Sequence, residues 1–371
     1  MKNQFCLILI LTLALAGCQP KVQQSEPSDF EKFLISPDEL KLSFKYSDPE
    51  RQLSFAHYQG TYQEWKQATF QKFVELIAYQ APGERPVREL RSMVHEGVTY
   101  HALVMETGPQ LSIPAYLLVP SGSIRGYVLA IHGHGDVEAM IGLRDDYHHC
   151  FALELAKQGF MVLCPEHRGF STLGNLSAGI PGDNLDYWVF KGNQFTLVTE
   201  GFLFGSTLIG ETIADFVAWE NWWTTTYQVT RFDVAGISYG GDLALYYPLF
   251  STRVNKIFCS GSLGSFSGIF ATSYNAPAHC IPGILKWMDR SDIAGLNAPR
   301  PIVLHYGELD TPGPHNYSAA YNPSVEPSVR ELKEIYKQAA AEENVFLKVT
   351  PGFQHEMDNK LLISFLSDTM N

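Results

Sequence analysis

Residues 234–241, which read Val-Ala-Gly-Ile-Ser-Tyr-Gly-Gly, constrain the fold of this chain more than any other segment. An apolar run typical of a buried strand leads directly into Ser238, and glycines stand two positions before and two positions after it. In such a turn the serine takes a strained position between a strand and a helix, while Gly236 and Gly240 leave room where side chains would collide. The segment therefore predicts a strand, a sharp turn that exposes a serine hydroxyl, and a helix.

Strand-like and helix-like segments alternate from residue 126 to the C-terminus. This alternation predicts an α/β fold with a doubly wound, mostly parallel sheet and helices on both faces. The predicted strands are 94–105, 111–119, 126–131, 160–164, 232–235, 256–260, 301–306 and 345–349. The predicted helices are 62–76, 145–157, 208–223, 328–343 and 359–367, together with a helix after Ser238.

Two predicted connections, 169–207 and 261–300, are long for a compact domain. Both leave the ends of central strands, where open α/β sheets bind ligands. We expect them to contain short elements of their own and to line a site. The aromatic residues of the first connection either form the wall of a pocket or pack as a small core of that loop, and the sequence supports both interpretations equally.

The first residues have the pattern of an export signal. Lys2 precedes an apolar run over 5–16 that is too short to span a bilayer comfortably. The run ends in Leu-Ala-Gly-Cys, which resembles the lipobox of bacterial lipoproteins and implies cleavage after residue 17 and lipidation of Cys18. The alternative is a plain secretory signal that a cysteine follows by chance.

The lipobox resemblance predicts a protein of the cell envelope that lipid chains on Cys18 hold on a membrane. Gln19 stands where an aspartate would resemble the inner-membrane retention signal, so in a Gram-negative source the outer membrane is expected. The predicted organisation is a signal peptide over 1–17, a flexible polar tether over 18–30, a helical extension over 31–89 and one α/β domain over 90–371.

Charge and cysteine content restrict the partners. The formal net charge is −12, and removal of residues 1–17 takes away one of the 27 basic residues and none of the 39 acidic ones, which leaves −13. Binding to a phosphate backbone needs clustered Lys and Arg, so we expect no nucleic-acid partner. Once the leader is removed and Cys18 is lipidated, four cysteines remain, without close pairing; a disulfide and free thiols both stay open.

A serine hydroxyl becomes a strong nucleophile only when a base takes its proton, and the usual base is an imidazole that a carboxylate orients. The chain provides both groups after predicted strands: Asp310 follows the strand over 301–306, and His355 follows the strand over 345–349. Glu308 competes with Asp310, and His305 competes with His355, although His305 lies inside a predicted buried strand and is expected to be a core histidine.

The order Ser238, Asp310, His355 resembles that of the α/β-hydrolases, from about residue 90 to the C-terminus. The resemblance implies that Ser238 is the nucleophile, that His355 is the general base and then the general acid, and that Asp310 fixes the tautomer of His355. It also implies an oxyanion hole formed by the backbone amides of His134 and Tyr239. No cofactor is implied.

The segment over 131–136, Ile-His-Gly-His-Gly-Asp, follows a predicted strand where this superfamily places its oxyanion loop. His132 and His134 also have a spacing found in metal sites, but no carboxylate or cysteine pattern supports a metal, and none is expected.

The segment over 165–171, taken with residues 236–241 and 355–356, most resembles the acetyl xylan esterase and cephalosporin deacetylase group and the dienelactone-hydrolase-like enzymes. Arg168 is expected to brace loops around the site. Tyr239 departs from the pattern, because that esterase group typically has glutamine after the nucleophile.

These observations predict a serine hydrolase that cleaves a carboxylic ester, such as an acetyl or other short-chain ester on a carbohydrate, through an acyl-serine intermediate. One alternative is a serine peptidase of the prolyl-peptidase type, although the short stretch before residue 90 leaves no room for the propeller of those enzymes. The other is a catalytically silent lipoprotein that uses the hydrolase fold to bind a ligand. The natural ester and the oligomeric state are not determined by the sequence.

Overall fold

A nine-stranded mixed sheet forms the centre of the computed structural model, which describes residues 51–107, 111–176, 194–271, 277–313 and 319–370. The predicted signal peptide, the tether and Cys18 lie outside these residues. The strands are β1 (Val87–His95), β2 (Val98–Glu106), β3 (Ser112–Pro120), β4 (Gly126–Ile131), β5 (Phe160–Pro165), β6 (Phe232–Ile237), β7 (Val254–Ser260), β8 (Ile302–Gly307) and β9 (Val345–Thr350).

The strand order is β1-β2-β3-β5-β4-β6-β7-β8-β9. The strands β1, β2, β3 and β5 pair antiparallel to one another, and all pairs from β5 through β4 to β9 are parallel. The order turns back at β4, so β4 lies between β5 and β6. Ligands bind outside the carboxyl ends of the strands at such a reversal. The predicted mostly parallel α/β sheet is confirmed.

Helices cover both faces of this sheet, as predicted. They are α1 (Tyr62–Leu76), α2 (Val137–Met140), α3 (Phe151–Lys157), α4 (Ser171–Leu176), α5 (Gln194–Phe204), α6 (Leu208–Tyr227), α7 (Tyr239–Tyr246), α8 (Phe266–Ala271), α9 (Arg290–Gly295), α10 (Val325–Gln338) and α11 (Asn359–Leu366). The long connections contain α4 and α5 in one case and α8 and α9 in the other, which confirms that they have short elements of their own.

Successive side chains of β4 point to opposite faces of the sheet, and a separate hydrophobic core lies on each face. Leu129 and Ile131 point into the cluster that α1, α6, α7 and α10 cover, and Val128 and Ala130 point into the cluster under α2, α3 and α11. A strand that is buried on both faces reads as a continuous apolar run, and this is the pattern of residues 126–131.

The predicted strand over 94–105 is wrong at its start. The chain turns at Glu96 and Gly97, both with positive φ (47° and 80°), and a separate strand, β1, precedes the turn. Because β1 lies at the sheet edge and most of its side chains are exposed, its sequence lacks the apolar alternation that marks a half-buried strand.

The predicted helix over 145–157 is too long, since α3 begins only at Phe151. His149 and Cys150 both have left-handed φ angles (47° and 45°), which end any helix that approaches from residue 145. The side chains before this bend form hydrogen bonds to the loop that follows β4, and such contacts override local helix propensity.

The first helix is part of the same packed body as the sheet. Thr61 and Glu64 form a capping box at the start of α1. Trp65 is fully buried and donates from Nε1 to the carbonyl oxygen of Leu53 at 2.8 Å, and Lys66 donates to the carbonyl oxygen of Ala298 at 2.7 Å.

Within the described ranges no single helix is long and apolar enough to cross a membrane. One pair of helices bent by 94°, Thr196–Phe204 with Leu208–Tyr227, has the required length and composition when the two are taken together.

Candidate active site

Ser238 occupies the turn between β6 and α7, with φ 60° and ψ −126°. This strained conformation holds only where the surroundings fix it, and it is typical of functional sites. A Cβ on Gly236 would overlap the carbonyl oxygen of Gly240, and a Cβ on Gly240 would overlap the carbonyl oxygen of His132. Both glycines are therefore required by close backbone contacts, as the sequence pattern predicts.

His355 and Asp310 form a hydrogen-bonded pair near this turn. The distance from Nδ1 of His355 to Oδ2 of Asp310 is 2.6 Å, and Asp310 is fully buried. The other oxygen of Asp310 accepts from the backbone amide of Ala320 at 3.1 Å. A carboxylate only accepts, so the proton of a neutral His355 lies on Nδ1 and Nε2 has a free lone pair. No described residue forms a hydrogen bond with Nε2.

The end of β7 brings this pair and Ser238 to one place. The backbone amide of Ser238 donates to the carbonyl oxygen of Ser260 at 2.8 Å. The next residue, Gly261, has φ +59°, and a Cβ there would lie 2.6 Å from Cε1 of His355. The His355 ring therefore packs on Gly261, and the residue before it, Ser260, accepts the hydrogen bond of the Ser238 amide.

Glu308 and His305, the alternatives to Asp310 and His355, form other hydrogen bonds. Glu308 accepts from the backbone amide of Gly352 at 3.0 Å and lies on the surface. His305 is buried inside β8, where its ring nitrogens lie 2.8 Å from Ser260 Oγ and 3.1 Å from Thr350 Oγ1. Burial lowers the pKa of His305 to about 4. His305 is thus a core histidine with both nitrogens hydrogen-bonded, as expected.

The loop after β4 lies against Ser238. A Cβ on Gly133 would lie 2.8 Å from the carbonyl oxygen of Ile237 and 2.9 Å from Cβ of Ser238. His134 follows Gly133, and Tyr239 is the first residue of α7, where a helix leaves its amides without partners in the helix. The structure therefore packs the residue before His134 against Ser238, and Tyr239 directly follows Ser238 at the start of α7.

Buried histidines hold this loop by hydrogen bonds to its backbone. The rings of His132 and His167 stack with centroids 3.8 Å apart. His132 Nδ1 lies 2.9 Å from the carbonyl oxygen of Gly133, and His167 Nε2 lies 2.9 Å from that of His132. Burial lowers the pKa of His132 to about 3 and that of His167 well below its usual value, so both are neutral N–H donors. The His132 and His167 rings therefore bind the backbone of this loop.

Beneath the turn lies a buried charged cluster that sequence analysis missed. Asp242, in the first turn of α7, forms an ion pair with Arg290 and approaches Nδ1 of His279 at 2.5 Å. Ser262 Oγ lies 2.7 Å from both Asp242 Oδ1 and the carbonyl oxygen of Ser238. Asp242 is the fourth residue after Ser238, which is a weak signal in the sequence, and its partners come from the connection over 261–300.

Tyr239, the departure from the esterase pattern, is fully buried and packs its ring against Phe170, His167 and His279 at 5.5, 5.2 and 5.1 Å between centroids.

Arg168 forms ion pairs with Asp215 and Glu211 on α6, so it ties the loop after β5 to that helix, as expected of a bracing residue.

The four cysteines after Cys18, which are Cys150, Cys164, Cys259 and Cys280, are all free. Within the described part of the chain, no three His, Cys, Asp or Glu side chains form a cluster suited to a metal ion.

Comparison with known proteins identifies the fold. No protein-family model matches the chain, and no curated protein matches it significantly. Among solved structures, a Bacteroides fragilis protein assigned as an acetyl xylan esterase superposes with a TM-score of 0.69, at 16% identity, over 91% of this chain and 96% of that one. A glucuronoyl esterase from Solibacter usitatus gives a TM-score of 0.57, at 10% identity, over 87% of this chain and 97% of that one.

Acetyl xylan esterase 1 from Thermoanaerobacterium gives a TM-score of 0.50, at 16% identity, over 82% of this chain and 94% of that one. The chain therefore has the α/β-hydrolase fold, and these three structural neighbours are named as esterases.

Proposed function

We propose that this protein is a serine hydrolase that cleaves a carboxylic ester, with Ser238 as nucleophile, His355 as base and Asp310 as the group that orients His355. The observation that carries the proposal is the 2.6 Å contact between His355 and buried Asp310, with the imidazole packed beside the strained Ser238 turn. The esterase activity named for the structural neighbours supports the same reaction class.

In the proposed reaction, Ser238 Oγ attacks the ester carbonyl carbon while its proton passes to Nε2 of His355. The carbonyl oxygen becomes an oxyanion, for which the amides of His134 and Tyr239 are the proposed donors. The tetrahedral intermediate collapses, the alcohol leaves with the proton from Nε2, and an acyl-Ser238 ester remains. Water, deprotonated by His355, then attacks the acyl carbon. The bond from that carbon to Ser238 Oγ breaks as Nε2 returns the proton to Oγ, and the acid leaves.

Ser238→Ala removes the proposed nucleophile. We expect it to abolish hydrolysis of p-nitrophenyl acetate and covalent labelling by a fluorophosphonate probe. Ser251 provides a matched control, since its buried hydroxyl donates to Glu220 on α6 and forms no described hydrogen bond with Ser238, Asp310 or His355. Ser251→Ala should keep both hydrolysis and labelling. Labelling of the Ser238→Ala protein at the wild-type level would show that another residue is the nucleophile.

Asp310→Asn keeps the size of the side chain and removes the charge that orients His355. We expect kcat for p-nitrophenyl acetate to fall about 10³- to 10⁴-fold, as for the loss of the carboxylate in other triads. Glu308→Gln, two residues away and exposed, should leave kcat within about twofold, because surface substitutions away from a site have small effects. The opposite ranking of these two variants would move the carboxylate role to Glu308.

His279 supports a substrate that carries a hydroxyl group near the ester. Asp242 accepts at 2.5 Å, so the ring proton lies on Nδ1, and burial lowers the pKa of His279 to about 4. A neutral ring in this tautomer has only an acceptor at Nε2, on the side away from Asp242. The ring centroid lies 5.5 Å from that of His134 and 5.1 Å from that of Tyr239, the two residues whose backbone amides are the proposed oxyanion donors.

An acceptor at this place favours a hydroxyl donor and disfavours a carboxylate. We therefore propose an acyl ester of a polyhydroxylated alcohol, such as a sugar, and not the ester of an anionic one.

His279→Asn tests this preference, because an asparagine amide can still donate to Asp242 but has no counterpart of Nε2. We expect kcat/KM for a methyl xyloside with one acetyl group to fall about 3- to 10-fold, the effect of one neutral hydrogen bond, with p-nitrophenyl acetate changed less than twofold. Equal losses on both substrates would assign His279 a purely structural role under α7.

We also propose that lipid on Cys18 holds the enzyme on a membrane of the cell envelope, from the lipobox at residues 15–18. Cys18→Ser in the full-length chain should prevent incorporation of radiolabelled palmitate and shift the protein from the detergent phase to the aqueous phase in Triton X-114 partitioning. If wild-type protein stays in the aqueous phase and takes up no palmitate, the lipobox assignment is wrong.

A further inference from the structure

The loop over 132–134, which we call the oxyanion loop, is hydrogen-bonded at four backbone groups, namely the carbonyls of its three residues and the amide of Gly133. Two of these bonds are the carbonyl contacts of His132 and His167 described above. The other two come from the segment that replaces the start of the expected helix. The amide of Gly133 donates to Nε2 of His148 at 2.8 Å, and Tyr147 Oη donates to the carbonyl oxygen of His134 at 2.7 Å.

The tautomer of His148 follows from its partners. Its Nε2 accepts from an N–H group, so it carries no proton, and the proton of the neutral ring lies on Nδ1. Nδ1 lies 2.6 Å from Oδ1 of Asp146, which only accepts. The backbone amide of His148 donates to the same oxygen at 2.8 Å, and the ring is fully buried. Asp146 thus fixes His148 as an acceptor for the loop, in the way that Asp310 fixes His355.

Tyr147 connects the oxyanion loop to the segment that carries His355. Its ring centroid lies 5.5 Å from that of His355, and its carbonyl oxygen accepts from the amide of Met357 at 2.9 Å. A Cβ on Gly133 would collide with the Tyr147 hydroxyl as well as with Ser238, so the Tyr147 side chain packs directly on the loop. One residue therefore contacts both the loop and the base.

We propose that Tyr147 and His148 are positioning residues that aim the amide of His134 at the oxyanion formed on Ser238. The peptide unit that carries this amide begins at Gly133, so its orientation is set by the bonds of His148 and His132 on one side and of Tyr147 on the other. Donors that are already oriented need no rearrangement during the reaction, which is the source of oxyanion-hole stabilisation. The inference rests on the proposed esterase function.

Three variants separate the contributions. His148→Phe keeps a buried ring but removes the acceptor for Gly133, and we expect kcat for p-nitrophenyl acetate to fall about 10²-fold, close to the loss of one oxyanion donor. His148→Gln restores an acceptor at the end of a flexible chain and should recover at least about tenfold of that loss by remaking one hydrogen bond to the loop.

Tyr147→Phe removes only a hydroxyl and should lower kcat about tenfold by loosening the loop. In all three, KM should change less than about threefold, since the lost interaction acts in the transition state.

Tyr100→Phe is the matched control. Its buried hydroxyl also donates to a backbone carbonyl, that of Ile141 at 2.7 Å, but it lies on β2 and does not contact the oxyanion loop. Its melting temperature should fall about as much as that of Tyr147→Phe, while its kcat stays at the wild-type value.

A trifluoromethyl ketone, which forms a tetrahedral oxyanion, should bind more weakly to the Tyr147 and His148 variants in proportion to their loss of kcat/KM.

The outcomes distinguish this inference from the proposed function. If wild-type protein hydrolyses no ester and Ser238 takes no label, the function itself fails. If wild-type protein is active and folded Tyr147→Phe and His148→Gln both keep wild-type kcat and ketone affinity, the positioning role is wrong. A loss of kcat in Tyr100→Phe as large as in Tyr147→Phe would also overturn it, because general destabilisation would then explain both. If His148→Phe does not fold, the other two variants and the ketone series still decide.

Discussion

The close backbone contact between the Ser238 turn and the neighbouring strand ends is the constraint on which the rest of the site depends. Gly240 packs on the carbonyl oxygen of His132 at the end of β4, and the Ser238 amide donates to Ser260 at the end of β7. The carbonyl oxygen of His132 allows no side chain at Gly240, and the carbonyl oxygen of Gly240 allows none at Gly236. The turn keeps Ser238 in a conformation that few residues adopt. Because parallel strands end at one edge of the sheet, the same contacts bring the oxyanion loop and His355 to the serine.

Burial gives the histidines of the site fixed and different roles. Desolvation disfavours the charged imidazolium, and it lowers the pKa values of His132, His167 and His279. A neutral ring has one donor and one acceptor, and its partner decides which nitrogen is which. His148 and His355 each face a carboxylate at Nδ1, and so each has Nε2 as an acceptor. That of His148 binds the amide of Gly133, and that of His355 is the proposed acceptor of the Ser238 proton.

Sequence reasoning predicted the sheet, most helices and the residues that meet at Ser238, because each of these has a local signal: apolar runs, glycine spacing, or a polar residue after a strand. It failed where a tertiary contact outweighs local preference. The edge strand β1 is exposed and shows no alternation. The segment with Tyr147 and His148 reads as helix but bends to bind the oxyanion loop. The partners of Asp242, which are Ser262, His279 and Arg290, lie 20 or more residues away along the chain, so no local sequence pattern could join them.

Trapping the acyl intermediate tests the central claim most directly. Wild-type protein would be mixed rapidly with p-nitrophenyl acetate, quenched with acid within the first turnover and digested for mass spectrometry. We predict that one acetyl group appears on Ser238, with a burst of p-nitrophenol stoichiometric with the active sites, because acylation precedes hydrolysis. Turnover with no acetyl group on Ser238 at any quench time, or an acetyl group on another side chain that is kinetically competent, would contradict the account.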